Sequence, residues 1–239
     1  INTQSLYLEA NQENARKRME VGDSPAQIIE WLKNNDAQND EESKQYGIVT
    51  YNSGSPQSSA FTGSDCFDYK NHITGPNYSI QGNILSGQAV LDSMEARFKR
   101  RPGCLSDKLM EALQGANVIG ADSRCRIEGT SSLSSYLKVA RPGNKDDSLY
   151  IDIVIAGTPF GVEPIDVLQT KYDDWKAKNS TRHACITVST KDLPKRLEHK
   201  LSVTNNLGTS EINVNASGLS FNWVHVFDLQ GRVILESEF

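Results

Sequence analysis

Two short polar runs hold the side chains best suited to chemistry: Tyr78-Ser-Ile-Gln-Gly-Asn-Ile-Leu85 and Gln114-Gly-Ala-Asn-Val-Ile-Gly-Ala-Asp122. Read as a strand, the first puts Gln81 and Asn83 on one face, with Gly82 between them on the other. An Asn83 amide can serve as an oxyanion-hole donor for a tetrahedral intermediate; equally, Gln81 and Asn83 can cross-link strand ends. In the second run a helix ends in glycines and delivers Asp122 and Arg124 into a loop. A guanidinium binds a carboxylate bidentately. Asp122 and Arg124 are therefore spaced to pair with each other, locking the loop, or to hold a bound carboxylate. His72 follows Asp68-Tyr-Lys-Asn in a loop; its imidazole titrates near neutrality and can act as acid or base, or pin the loop by a hydrogen bond. The candidate catalytic residues are thus His72, Asn83 and Asp122, with Gln81 and Arg124 as substrate contacts. Cys66 stands beside Asp65 and Asp68, carboxylates that disfavour its thiolate and argue against a nucleophilic role.

Rigid elements must hold these groups, and the pattern supplies them. A polar helix over residues 11–21 keeps Ala15 and Met19 on one face. Ser24-Pro-Ala-Gln27 is a capping box with proline at the first helical position, and Ile28, Ile29 and Leu32 form the buried stripe that follows. After an acidic, Asn-rich loop (34–42), Tyr46–Tyr51 and Gln57–Thr62 read as a hairpin around Asn52-Ser-Gly-Ser-Pro56. Residues 78–85 are a further strand. Helical spacing recurs at Val90, Leu91, Met94 and Phe98, then at Leu105, Leu109, Met110 and Leu113. Alternating strands at 133–139 and 149–155 flank Arg141-Pro-Gly-Asn144, and a last helix runs from Pro164 to Lys176. Antiparallel strands with helices grouped between them predict an α+β fold, not an alternating parallel sheet.

The 239 residues exceed the usual single-domain size. Helix signals stop near Asn179, which divides the chain into a main domain (1–178), a linker (179–200) rich in Lys and Arg, and a β-rich tail (201–239). A net charge of −5 argues against nucleic-acid binding, and no apolar run approaches the roughly 20 residues of a membrane span. Four cysteines without a C-x-x-C spacing do not form a zinc site, and no metal or cofactor is expected. If the protein is exported, Cys104 and Cys125 are the preferred disulfide, because they flank one helix and its following loop; free buried thiols are the alternative. The chain begins Ile1-Asn-Thr-Gln, without an initiator Met or signal peptide, as a processed or partly observed chain would.

Taken in order, Gln45-Tyr-Gly-Ile-Val, Phe61-Thr-Gly-Ser-Asp-Cys66, His72, Tyr78 to Leu85, Leu109 to Leu113 and Gly120-Ala-Asp-Ser-Arg124 resemble the bacterial family catalogued as domain of unknown function 1028. That resemblance covers roughly Ile1 to Trp175. It implies an N-terminal nucleophile (Ntn) hydrolase-like four-layer α-β-β-α sandwich of two antiparallel sheets between helices. Members begin with a strand pair upstream of the segment that Ile1-Asn-Thr-Gln4 resembles. Ntn hydrolases attack with a Thr, Ser or Cys at the mature N-terminus, whose α-amine is the base. Ile1 has no nucleophilic atom and Thr3 no free amine, so a complementing N-terminal segment is one expected partner. In the tail, Leu201-Ser-Val-Thr, Glu211-Ile-Asn-Val-Asn and Val224-His-Val-Phe-Asp-Leu-Gln-Gly-Arg-Val233 resemble the start of a type A sorting domain of the type IX secretion system of Bacteroidetes. The resemblance implies a small all-β domain, secretion-machinery partners, and a secreted or cell-surface location. Phe227-Asp-Leu-Gln-Gly-Arg232 also reads as an ordinary hairpin turn.

Two functions follow as expectations. One is a secreted Ntn-hydrolase-like protein whose activity is amide-bond hydrolysis. The other is a non-catalytic extracellular or cell-surface protein that uses the same fold for assembly, as a homo-oligomer.

Overall fold

A computed structural model describes residues 1–52, 55–141, 143–145 and 148–179, together with strand backbones at 201–205, 212–216, 223–227 and 233–238. Contacts divide the chain into two compact units, Ile1–Cys185 and Ile186–Phe239.

The described residues of the first unit form a mixed α+β structure built from small antiparallel sheets and five α-helices. Strands β1 (Asn2–Ser5), β2 (Lys44–Asn52) and β3 (Ser55–Thr62) form a sheet in that order, with β2 central. The β2–β3 hairpin matches the sequence expectation; its register runs from Gln45↔Thr62 to Asn52↔Ser55. Strand β1 was not anticipated. Asn2-Thr-Gln-Ser5 has no apolar alternation, and it is a strand because its backbone pairs with Lys44–Gly47.

Residues alternate across β2. Tyr46 and Ile48 face helices α1 (Glu9–Glu20) and α2 (Pro25–Asn34), forming a core with Ala15, Ile28, Ile29 and Leu32. The capping box predicted at the start of α2 is present: the Ser24 side chain accepts from Gln27 N, and Gln27 Oε1 accepts from Ser24 N at 2.9 Å. Gln45 and Gly47, on the other face of β2, meet a second hairpin of β4 (Asn71–Gly75) and β5 (Tyr78–Gly82).

Helices α3 (Gln88–Arg100) and α4 (Leu105–Gly115) pack closely, and α3 lies on β4 and β5. The Tyr78 and Phe98 rings are 5.2 Å apart there, and Asn71 Nδ2 donates to Gln88 Oε1 at 2.8 Å. Past a 3-10 turn (Ser123–Arg126), β6 (Ser135–Val139) and β7 (Ile151–Ile155) form a third hairpin. Its inner residues Leu137, Val139, Ile151 and Ile155 pack with Met110 of α4 and with Ile165, Leu168 and Tyr172 of α5 (Pro164–Lys178).

In the second unit the described backbone forms two antiparallel strand pairs, β8 (Leu201–Asn205) with β9 (Ile212–Ala216) and β10 (Trp223–Phe227) with β11 (Val233–Glu238). The Asp-Leu-Gln-Gly-Arg part of the sorting-like signature and the 180–200 linker lie outside the described residues.

The Cys104–Cys125 disulfide is a correction. Cys125 is a free, buried thiol, whereas Cys104 is disulfide-bonded. The two cysteines flank α4, whose 11 residues set its ends roughly 16 Å apart, against the 4.4–6.8 Å that a disulfide allows between Cα atoms. The loop carrying Cys125 does not return along that helix. It is tied to the chain after β5, with Ser86 N donating to Ala121 O and Ser123 N to Ile84 O, each at 2.9 Å.

Candidate functional site

A layer between two β-hairpins normally fills with apolar side chains. Between β2–β3 and β4–β5 it is polar instead. Gln45 lies at its centre, fully buried. Gln45 Nε2 lies 2.8 Å from Thr62 Oγ1, 3.1 Å from Asn71 O and 3.0 Å from Gly82 O. Its Oε1 accepts from Gln4 Nε2 of β1 at 2.6 Å. One amide thereby joins β1, β3, β4 and the end of β5.

His72 was expected in a loop; it lies in β4, opposite Gln81 of β5. The residue is part of a strand because backbone pairing overrides a local pattern with a single apolar residue, Ile73. Strand geometry aims the imidazole at β3, where His72 Nδ1 and Thr62 Oγ1 are 2.9 Å apart. Half-burial lowers the His72 pKa, because desolvation penalises the imidazolium. The ring is therefore neutral at pH 7 and can accept a proton. The Thr62 hydroxyl can donate its hydrogen to Nδ1 of the neutral ring, the arrangement in which Nε2 carries the ring proton.

Gln81 shares this face. Its side chain covers Gly47, and a Cβ at that position would collide with the Gln81 amide. Ser79 Oγ donates to Gln81 Oε1 at 2.8 Å, which orients the amide and leaves its N–H groups without an acceptor among the described residues. The slot thus contains a hydroxyl–imidazole pair, a buried amide behind it, and a second amide with hydrogens to give.

Asn83, Asp122 and Arg124 belong to a neighbouring assembly. The strand expected over 78–85 stops at Gly82, and Asn83 begins a bend. Ile84 then takes φ 57, a left-handed conformation that is an outlier for a β-branched residue. That twist lets Leu85 bridge Asp122, which brings together the ends of the two polar runs. Asp122 caps the 3-10 turn by accepting from Arg124 N at 3.0 Å. It also holds the Arg124 guanidinium bidentately, at 3.0 and 2.6 Å. Burial raises the Asp122 pKa, but these bonds outweigh it and the net shift is downward. Of the two readings for this pair, the ion pair that locks its own loop is the one formed.

Sequence reasoning missed Gln4, Gln45, Thr62 and Asn71. One signal was available: Gln45 and Gly47 share one face of a strand whose other face carries Tyr46 and Ile48, which marks a polar, closely approached surface. Two surface depressions lie elsewhere. One of about 190 Å³ is lined by Arg100, Arg101, Pro102 and Glu111. Another, of about 210 Å³, lies among Arg101, Asp107, Glu111, Gln169, Tyr172 and Lys176. Both mix charges of each sign and contain no nucleophile–base pair among their described residues. Among the described residues no group of three or more His, Cys, Asp or Glu is placed to hold a metal ion, and no helix is long and apolar enough to cross a membrane.

Fold and site together define a mixed α+β protein with a polar slot between antiparallel hairpins. A family model described as a family of unknown function (DUF1028) matches residues 1–164, and the chain belongs to that family. It is similar in fold to the crystal structure of protein SPO2555 from Silicibacter pomeroyi, titled with the same family. The match has a TM-score of 0.56 at 20% identity, over 72% of this chain and 69% of that one. No curated protein matches the chain significantly.

Proposed function

We propose that this chain is a secreted protein with an Ntn-hydrolase-like fold that cleaves amide bonds, attacking from the internal Thr62 with His72 as base and not from an N-terminal residue. The observation that carries the reading is the 2.9 Å contact between the Thr62 hydroxyl and a neutral imidazole in a polar slot. A nucleophile within hydrogen-bond reach of its base is the geometry of activated-hydroxyl catalysis. The layering supports the sandwich reading: α1 and α2 cover one face of the β1–β3 sheet, β4–β5 lies on the other, and α3 covers that hairpin. The tail's two antiparallel strand pairs support the sorting-domain reading. Detection of the protein in the medium or on the cell surface is the check on export.

In the proposed reaction His72 takes the Thr62 proton as Oγ1 attacks the amide carbon, and the carbonyl electron pair moves onto oxygen. Gln81 N–H groups meet that oxyanion. His72 then protonates the departing amine, leaving a threonyl ester. Water, deprotonated by His72, attacks the ester; the acid leaves and Thr62 recovers its proton.

Labelling of the intact protein by acylating amide-mimicking probes, together with hydrolysis of a panel of simple amides, tests this assignment. Thr62→Val and His72→Gln should each lower kcat at least about 100-fold, the usual contribution of acid–base catalysis, while far-UV circular dichroism stays unchanged. Activity surviving Thr62→Val would remove the nucleophile assignment. Neither labelling nor turnover in the parent protein would favour the non-catalytic assembly role.

A further inference from the structure

The slot between the two hairpins is polar without being charged. Residues directly opposite in an antiparallel pair share a face, so the register defines what lines it. From β2–β3 come Gln45 with Thr62 and Gly47 with Ala60; from β4–β5 come His72 with Gln81 and Thr74 with Ser79. None of these is Asp, Glu, Lys or Arg, in a chain where such residues make up 23%. The charged side chains adjoining them in sequence are engaged elsewhere. Lys44 Nζ donates to Gln38 and to Asp40, each at 3.4 Å, on the Tyr46 side of β2. Lys70 Nζ donates to Ser64 O at 2.6 Å, and Glu42 accepts from Ser64 N at 2.7 Å. Burial alone lowers the His72 pKa, with no contribution from a neighbouring charge among the described residues.

Burial is graded across this face. Thr74 is exposed, Ala60, Thr62, His72, Ser79 and Gln81 are half-buried, and Gln45 and Gly47 are buried. Ala60 is the smallest side chain beside the reacting pair. It stands two residues from Thr62 on the same face, roughly 7 Å away along the strand, and next to Gly47, whose space the Gln81 amide fills. A substituent two or three bonds from a carbonyl held at Thr62 therefore comes within reach of the Ala60 methyl. A neutral substituent loses little by leaving water there. An ammonium or a carboxylate is stripped of hydration with no counter-charge to meet it, a far larger cost. We infer that the slot takes amides whose acyl group is uncharged, and that Ala60 is the position that sets this preference. The inference rests on the amide-hydrolysis reading and names its substrate class.

Three anilides with one leaving group and acyl chains of similar size separate charge from shape: propionyl, which is neutral, β-alanyl, which is cationic at neutral pH, and succinyl, which is anionic. With the full parent chain, kcat/KM for the propionyl anilide should exceed that for each charged one at least about 30-fold, because an unpaired ion is costly to desolvate. Ala60→Asp supplies a counter-charge and should bring the β-alanyl anilide above the propionyl one. Ala60→Asn, nearly the same shape without the charge, should keep the parent's order. A merely structural role for this position would move both variants alike, and that result would overturn the assignment of Ala60. Charged anilides cleaved as fast as the neutral one by the parent would overturn the selectivity while leaving amide hydrolysis standing. Cleavage of none of the three would remove the hydrolysis reading, and this inference with it. Where circular dichroism shows that Ala60→Asp has not folded, the parent's order of the three rates still decides.

Discussion

Gln45 has two amide hydrogens and three oxygens within reach of them, and it is shielded completely from water. A buried polar group of this kind is stabilising only while its partners are present, since an orphaned donor or acceptor costs about 1–3 kcal/mol. That makes the residue a sensitive determinant of where Thr62 and His72 stand. Gly47, two residues along the same face, has a different role: it makes room for the Gln81 amide. The obstructing atoms there are the far end of a flexible side chain, so Gly47→Ala should displace Gln81 and not disrupt the sheet. Its expected effect on stability is small, within about 1 kcal/mol, whereas turnover should fall to the level of Gln81→Ala. The double variant should be no worse than Gln81→Ala alone, a non-additivity that marks a shared partner. Additive losses in that cycle would show that Gly47→Ala acts on the reaction other than through Gln81. None of this pairing was legible from the residues in order. His72 and Thr62 are ten positions apart on separate strands, and only the register across β3, β4 and β5 brings them together.

Elements were easier to read than contacts, and the reason is periodic burial. Helices α2, α4 and α5 and strands β2, β6 and β7 each have an apolar face against a core, which leaves a repeating trace in the sequence. Strands β1 and β4 escape that logic. Both are short and polar, and they exist because a neighbouring strand offers its unpaired backbone. Helix α4 illustrates a further constraint that periodicity does not reveal. At Gly115 an added Cβ would come 2.7 Å from the Met94 N and Cα of α3, so glycine sets how closely the two helices approach. The obstruction is backbone and cannot rotate away. Gly115→Ala should therefore destabilise the first unit by about 1–3 kcal/mol, the usual cost of overpacking, despite alanine's better helix propensity. Urea denaturation would measure it, and an unchanged or raised midpoint would show that the helices can separate without penalty.

Across the whole molecule, the titratable groups point to a defined window of pH stability. His72 is held below its ordinary pKa by burial. A folded-state pKa below the unfolded value means that acid favours the unfolded chain. The His72 contribution is thus complete above about pH 6.5 and declines as the pH falls below it. Asp36 shifts downward too. Burial opposes that shift, but Gln38 N, the Asn11 amide and Asp40 N bond to its carboxylate, and Lys44 lies nearby. Together with Asp122 it adds a second loss of the same sign, below about pH 4. At the alkaline end the sign reverses. Burial lifts Tyr46 to about 12, so its contribution is complete below about pH 10 and disappears as the pH rises through its folded value. Tyr172 is raised in the same direction, again mainly by burial. Thermal melts should accordingly show a plateau from about pH 7 to about 9, a first decline below about 6.5, a steeper one below about 4, and an alkaline fall above about 10. His72→Gln, which keeps a polar partner for Thr62, should remove the first decline and leave the other two. If the melting curve of that variant still bends between pH 5 and 6.5, the imidazole is not the group that loses stability there, and its neutral state in the slot would have to be abandoned.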